Sequence, residues 1–334
     1  MKIWYIPAFI LCLGITLTSC GADDAARPSS IDRNVGDTLI GTNGVTNEAD
    51  KKLRYQADRE LSEDFQFDWS KITIEVSYPG REVSTIKGLL IATGWAPSRL
   101  ASIGPPISIN DASKSELIEA ALEEYSTLDQ AITKNPKSLI INAGLVSDNS
   151  RNQSMKNEGL FYINGVLVSA FSDAISGLIC ITEKQRQFAI YRTRNFSNAS
   201  QIGDRCRSAI QAFPVLINSG KVAIRPTEIS KVKPKARVIA AVTPKRGTFF
   251  LVMNEPVNLL PIAELLAKGG SPNVRLVSAS KLEVTDEYIG KATAAINFPS
   301  GDSAIAAAEG RYLSEGDTRS VRAALILDPT PHFP

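Results

Sequence analysis

Past residue 60 the chain is a succession of short apolar runs separated by clusters of Gly, Pro, Asn, Asp and Ser. Ile72-Thr73-Ile74-Glu75-Val76 alternates with a period of two, which predicts a half-buried strand, and Leu89-Leu90-Ile91 predicts a second. Beyond Ser138 the same texture gives Leu139-Ile140-Ile141, Leu160 to Ile163, Phe188 to Tyr191, Val215-Leu216-Ile217, Val238 to Val242, Thr248 to Met253 and Ala323 to Leu327. Asn164-Gly165 and Ser219-Gly220 read as tight turns between strands. Helical spacing is rarer. With Asp111 as its cap, a helix starting near Ala112 would align Ile118, Ala121, Leu122, Tyr125, Leu128 and Ile132 on one face and end at Asn135-Pro136. Pro261 to Lys268 is a second helix, closed by Gly269. These elements predict an α+β fold, a mixed β-sheet core with few helices, too few to cover both faces of a wholly parallel sheet.

The first residues follow a different logic. Lys2 is a positive start, Ile3 to Leu17 is an apolar run too short to span a bilayer, and the segment ends Leu17-Thr18-Ser19-Cys20. That ending resembles a lipobox, which implies cleavage before Cys20 and lipidation of its sulfur, so that the mature chain is anchored to a membrane of the bacterial cell envelope. An ordinary signal peptide cut near Ala22 is the competing reading. Residues 1–19 are thus expected to be the signal peptide and 20–47, poor in large apolar residues, a flexible tether. Residues 48–137 form an N-terminal region, an extra layer or small subdomain that opens with a polar helix over Glu48 to Asp64, and 138–330 form the main domain.

Composition narrows the chemistry mostly by exclusion. The 334 residues are 43% hydrophobic and 22% charged, enough for a core and without a disorder signature. A formal net charge of +2 gives no reason to expect nucleic acid as a partner. His332 is the only histidine, so no Ser-His-Asp triad, Cys-His pair or multi-histidine metal centre can be assembled; no set of metal ligands stands out, and any cofactor is left open. Of the four cysteines, Cys12 leaves with the signal and Cys20 is the lipidation candidate. Cys180 and Cys206 remain and are expected to form a disulfide contributing about 3 kcal/mol; two buried thiols are the alternative.

Two motif sets compete for the rest. Ser278-Ala279-Ser280-Lys281, Ser147-Asp148-Asn149 and Lys245 to Thr248 echo the three motifs of penicillin-interacting serine acylases, but their chain order is wrong for that family. A longer series keeps both order and spacing. It runs Ile141-Asn142-Ala143-Gly144, Glu158 to Gly165, Ala209 to Ile217, Arg237 to Ala241, Ile262 to Leu266, Ile296 to Ser300 and Thr318 to Leu325. This series resembles the phosphodiester glycosidase domain, the family of the lysosomal uncovering enzyme and of many bacterial envelope proteins.

The resemblance implies a ligand that is a glycan or sugar phosphodiester. A guanidinium offers a planar fork to phosphate oxygens and stays charged at any working pH, so Arg237 and Arg319 are the candidate phosphate clamp. Asn142, Gly144 and Asn297 are candidate substrate-binding residues. Where the family has an apolar strand ending in Leu-Asp-Gly-Gly, this chain has Asn273 to Ser280, with Ser278 in place of the acid. Serine is no general acid near neutral pH, which favours recognition with impaired catalysis over turnover. An active hydrolase releasing a sugar from a phosphodiester is the alternative, and a structural lipoprotein without a ligand the third reading.

Overall fold

The computed structural model describes residues 61–62, 65–77, 82–104, 124–143, 145–147, 156–183, 187–196, 199–229, 233–300, 304–314 and 321–329. The signal and tether, the helix start at Ala112, Cys20, Gly144 and Arg319 lie outside them, as does all of Glu48 to Asp64 except Leu61 and Ser62, which belong to no helix.

A nine-stranded sheet forms the frame. From edge to edge it runs Lys221–Val222, Val215–Asn218, Ala294–Ser300, Lys235–Thr243, Gly247–Val257, Ser84–Gly94, Asp68–Val76, Val274–Ala279 and Gly270–Ser271. A six-stranded sheet runs Arg311–Tyr312, Ala306–Ala308, Leu139–Ala143, Ala323–Leu327, Ser98–Ile103 and Glu124–Tyr125. A five-stranded sheet runs Phe188–Arg192, Gly177–Thr182, Cys206–Ala212, Phe161–Ile163 and Val166–Ser169. Among the described residues, pairing is antiparallel throughout except between Ser98–Ile103 and Glu124–Tyr125. The strands before residue 104 are members of the two larger sheets and share their cores.

Side-chain alternation sorts the apolar residues into layers. In Lys235–Thr243, Val238 and Ala240 face a core shared by the three sheets, where Phe161, Phe188, Phe250, Phe298, Ile141 and Leu325 meet. Ile239 and Ala241 face the other way, toward the helix Leu259–Lys268 and its Ile262, Leu265 and Leu266. That strand is buried on both faces, which is why it reads as a continuous apolar run rather than an alternating one. Its helix ends as expected: Gly269 takes φ +81°, a left-handed cap. Asn164-Gly165 and Ser219-Gly220 also have positive φ throughout, as hairpin turns of the primed type require.

The other helix departs from expectation. Tyr125 is in a strand, and the helix is Leu128–Lys134, capped by the Thr127 side chain accepting from Gln130 N–H at 3.1 Å. Leu128 and Ile132 still bury one face against Ile140 and Ile326. The polar pair Ser126-Thr127 supplies turn and cap chemistry that interrupts a longer helical period.

Cys180 and Cys206 pair as a disulfide across neighbouring strands of the five-stranded sheet. It sits among Leu160, Leu178, Phe196 and Ile202, a satellite core of its own.

Candidate functional site

Arg237 lies in the fourth strand of the large sheet, between Ala294–Ser300 and Gly247–Val257. Alternation puts it on the face of Ile239 and Ala241, the face that carries the Leu259–Lys268 helix. Pairing is irregular on both flanks: the register slips between Lys235 and Arg237 against one neighbour and between Arg237 and Ile239 against the other. Such irregularities re-aim side chains and are frequent beside functional sites.

The side chain is 0% exposed. Its Nη2 donates to the Lys233 carbonyl, while Nε and Nη1 have no partner among the described residues. Burial pulls its pKa down to about 10, with no carboxylate among the described residues acting on it, so Arg237 is a charged but uncompensated cation at neutral pH. A buried charge without a counter-ion is costly, and its retention points to an anionic partner.

Asn297 stands opposite Ile239 on the adjoining strand, one pair along from Arg237 and on the same face. Its backbone N–H donates to the Pro214 carbonyl at 3.1 Å and its Nδ2 to the Phe213 carbonyl at 2.9 Å. A carbonyl only accepts, so this second bond fixes the orientation of the amide and leaves Oδ1, also buried, without a donor. Unmatched donors on Arg237 and an unmatched acceptor on Asn297 thus occupy neighbouring strands. A ligand carrying an anionic group beside a hydroxyl answers both.

Of the other candidates within the described residues, Asn142 and Ser278 do not join this pair. Asn142 is buried in the six-stranded sheet, where its Oδ1 accepts from Ile305 N–H at 3.0 Å; alternation places it with Ile140, beneath the Leu128–Lys134 helix. Ser278 is exposed on Val274–Ala279, opposite Thr73, with three strands between it and the Arg237 strand, roughly 19 Å across the sheet. An acid at that position would not meet Arg237. Lys281, the last residue of the acylase-like motif, lies over the Trp69 ring at 4.7 Å. Glu283, Asp286 and Glu287 ride the following helix, Leu282–Tyr288, and Glu287 pairs with Arg246.

A hollow of about 490 Å³ lies elsewhere, lined by Phe65, Lys137, Glu309 and Arg311 among others. It is roomy, but its Glu309 and Arg311 pair with each other at 3.1 Å, so it holds less unmet chemistry than the Arg237 strand. Among the described residues no cluster of His, Cys, Asp and Glu is fit to hold a metal ion.

Residues 136–274 match the family model for phosphodiester glycosidase. The resemblance to phosphodiester glycosidases is therefore shown. The matched stretch includes Asn142 and Arg237; Ser278, Asn297 and Arg319 lie beyond it. No curated protein matches the chain. Among solved structures, it is similar to the catalytic domain of zebrafish N-acetylglucosamine-1-phosphodiester alpha-N-acetylglucosaminidase, auto-inhibited by pro-peptide, at 13% identity and a TM-score of 0.53, over 82% of this chain and 87% of that one. A hypothetical protein from Synechocystis aligns at 12% identity and a TM-score of 0.46, over 78% of this chain and 62% of that one. The zebrafish likeness is one of fold, and it makes the phosphodiester-glycosidase-like architecture, mostly sheet with few helices, the frame on which Arg237 and Asn297 sit.

Arg237 was reachable from sequence only through the family series, since nothing in its own strand pattern separates it from a surface arginine. The open acceptor on Asn297 was not legible at all. It depends on the Phe213 carbonyl, supplied from 84 residues away.

Proposed function

We propose that the domain recognises a glycosyl phosphodiester, with Arg237 holding the phosphate through Nε and Nη1 and Asn297 Oδ1 accepting from a sugar hydroxyl. The observation that carries this reading is the fully buried guanidinium with two unpartnered nitrogens and no carboxylate acting on it. The zebrafish relative is named for an N-acetylglucosamine-1-phosphodiester, a ligand of this chemical class. Recognition without turnover is favoured, because Ser278 stands where the family has an acid and serine is no general acid near neutral pH. Since Arg237 has no exposure, a ligand reaches it only when the chain covering it parts, so association should be slower than the usual 10⁵ M⁻¹s⁻¹ or more, as an order of magnitude.

The test is calorimetric titration of the purified protein with an N-acetylglucosamine phosphodiester, alongside an assay for released sugar. Binding without release is expected, with Arg237→Met weakening it by about 30-fold or more, the loss typical when one member of a buried charge pair is removed. Equal affinity in Arg237→Met would sink the reading. Sugar release by the native protein, lost in Arg237→Met, would establish the hydrolase instead.

The ending at Cys20 supports placing this domain on the bacterial cell envelope through a lipid thioether. Mass spectrometry of the mature N-terminal peptide decides it: a diacylglyceryl mass on Cys20 is expected, and an unmodified terminus near Ala22 would refute it.

A further inference from the structure

A second group of unmatched polar atoms lies on the five-stranded sheet. The strand Phe188–Arg192 ends at Arg192, and a single 3-10 turn begins at Thr193. Arg192 is 9% exposed and Thr193 4%. Arg192 Nη2 donates to the Ala223 carbonyl at 2.9 Å, but Arg192 Nε and Thr193 Oγ1 are both buried without a partner among the described residues. Two consecutive side chains therefore each enclose a hydrogen-bonding atom that the fold itself leaves unmet, in a protein class where such atoms are few.

The surrounding charge has one sign in excess. Arg194 and Arg225 act on Arg192 as like charges, and among the described residues Glu228 is the one carboxylate acting on it. Glu228 is already engaged: its Oε2 accepts from the Arg225 backbone N–H at 2.7 Å and lies 3.8 Å from Arg225 Nε. Three guanidiniums facing one occupied carboxylate leave a surplus of positive charge around two open hydrogen-bonding atoms. A buried water would satisfy Nε or the hydroxyl, but it would not offset that surplus; an oxyanion does both.

We propose that this cluster binds a tetrahedral oxyanion, a phosphate or sulfate group, with Arg192 Nε and the Thr193 hydroxyl as its donors. Arg192 keeps a residual exposure while its Nε and the Thr193 hydroxyl are enclosed, and the exposed Arg194 and Arg225 draw an anion toward them. The site is independent of Arg237, which lies on a different sheet; neither guanidinium is among the charges acting on the other. It therefore stands or falls separately from the function proposed above.

The experiment titrates the mature protein with inorganic phosphate and, separately, inorganic sulfate at low chloride, comparing the native chain with Arg237→Met, Arg192→Lys and Thr193→Val. A binding event that survives Arg237→Met is expected for at least one of the two ions. Arg192→Lys keeps the charge but removes Nε, and Thr193→Val keeps the shape but removes the hydroxyl; each should weaken that event by about tenfold or more. Thr193→Ser should restore it. Removing an unmatched buried hydroxyl leaves the ligand-free unfolding midpoint unchanged or higher, so weakened binding in Thr193→Val is separable from damage to the fold. The proposal is overturned if neither ion binds the Arg237→Met protein, or if Arg192→Lys and Thr193→Val both bind as the native chain does.

Discussion

At the scale of single residues, Arg237 sets stability against binding. In the absence of ligand, replacing a buried unpaired cation by an apolar side chain of similar length removes a desolvation cost. Arg237→Met is therefore expected to raise unfolding stability by about 1–3 kcal/mol in denaturant titrations, even as it weakens ligand retention. A loss of stability would mean that the guanidinium is structurally essential through its bond to the Lys233 carbonyl. The pH dependence has a definite sign. Burial lowers the folded-state pKa to about 10, below that of the unfolded chain, so below about 10 Arg237 is protonated in both folded and unfolded chains and its cost is constant. As pH rises through about 10 the folded chain loses its proton first, and the cost fades. Binding of a phosphodiester, which titrates far below this range, should be flat through neutral pH and fall only above about 10; a fall centred on neutral pH would implicate another group.

Among elements, caps and turns decide where the pattern is obeyed. The apolar spacing through Ile118 and Ile132 extends beyond the helix Leu128–Lys134, whose start is fixed by the Thr127 hydroxyl at the Gln130 N–H. Thr127→Ala should cost about 1 kcal/mol, while Thr127→Ser or Thr127→Asp should not, as thermal unfolding would report. A neutral Thr127→Ala would show that packing of Leu128 and Ile132 alone sets the helix start.

For the whole molecule, two sheets meet by close approach, and a covalent link ties two strands within one of them. Gly177 lies where the five-stranded sheet meets the large one: a Cβ there would come within 2.4 Å of Ile296 Cδ1 and 2.7 Å of Val215 Cγ2. Its backbone needs no special conformation, so the constraint is space alone. Gly177→Val should destabilise the fold by about 2 kcal/mol or more, by overpacking, and a neutral result would mean that the two sheets separate freely. The Cys180–Cys206 link closes a separation of 26 residues and should contribute about 3.5 kcal/mol by restricting the unfolded chain. Unfolding of the Cys180→Ala, Cys206→Ala double variant against the native chain measures it.

What the sequence determined by itself were properties carried by near neighbours in the chain. Period-two and continuous apolar runs located the strands through Ile72, Leu90, Ile141, Val238 and Leu325, and glycine chemistry placed the turn at Asn164-Gly165 and the cap at Gly269. An ordered series of such pieces was enough to indicate the phosphodiester glycosidase resemblance. Only the tertiary structure decided which polar side chains meet. Asn142, Arg237, Asn297 and Ser278 look equivalent as polar residues within apolar runs, yet one is bonded to Ile305, two share a face, and one stands exposed three strands away. The reason is that an unmatched hydrogen bond is a property of every group surrounding an atom, and those groups come from distant parts of the chain. The Phe213 carbonyl orients Asn297, and the Ala223 carbonyl leaves Arg192 with one open nitrogen.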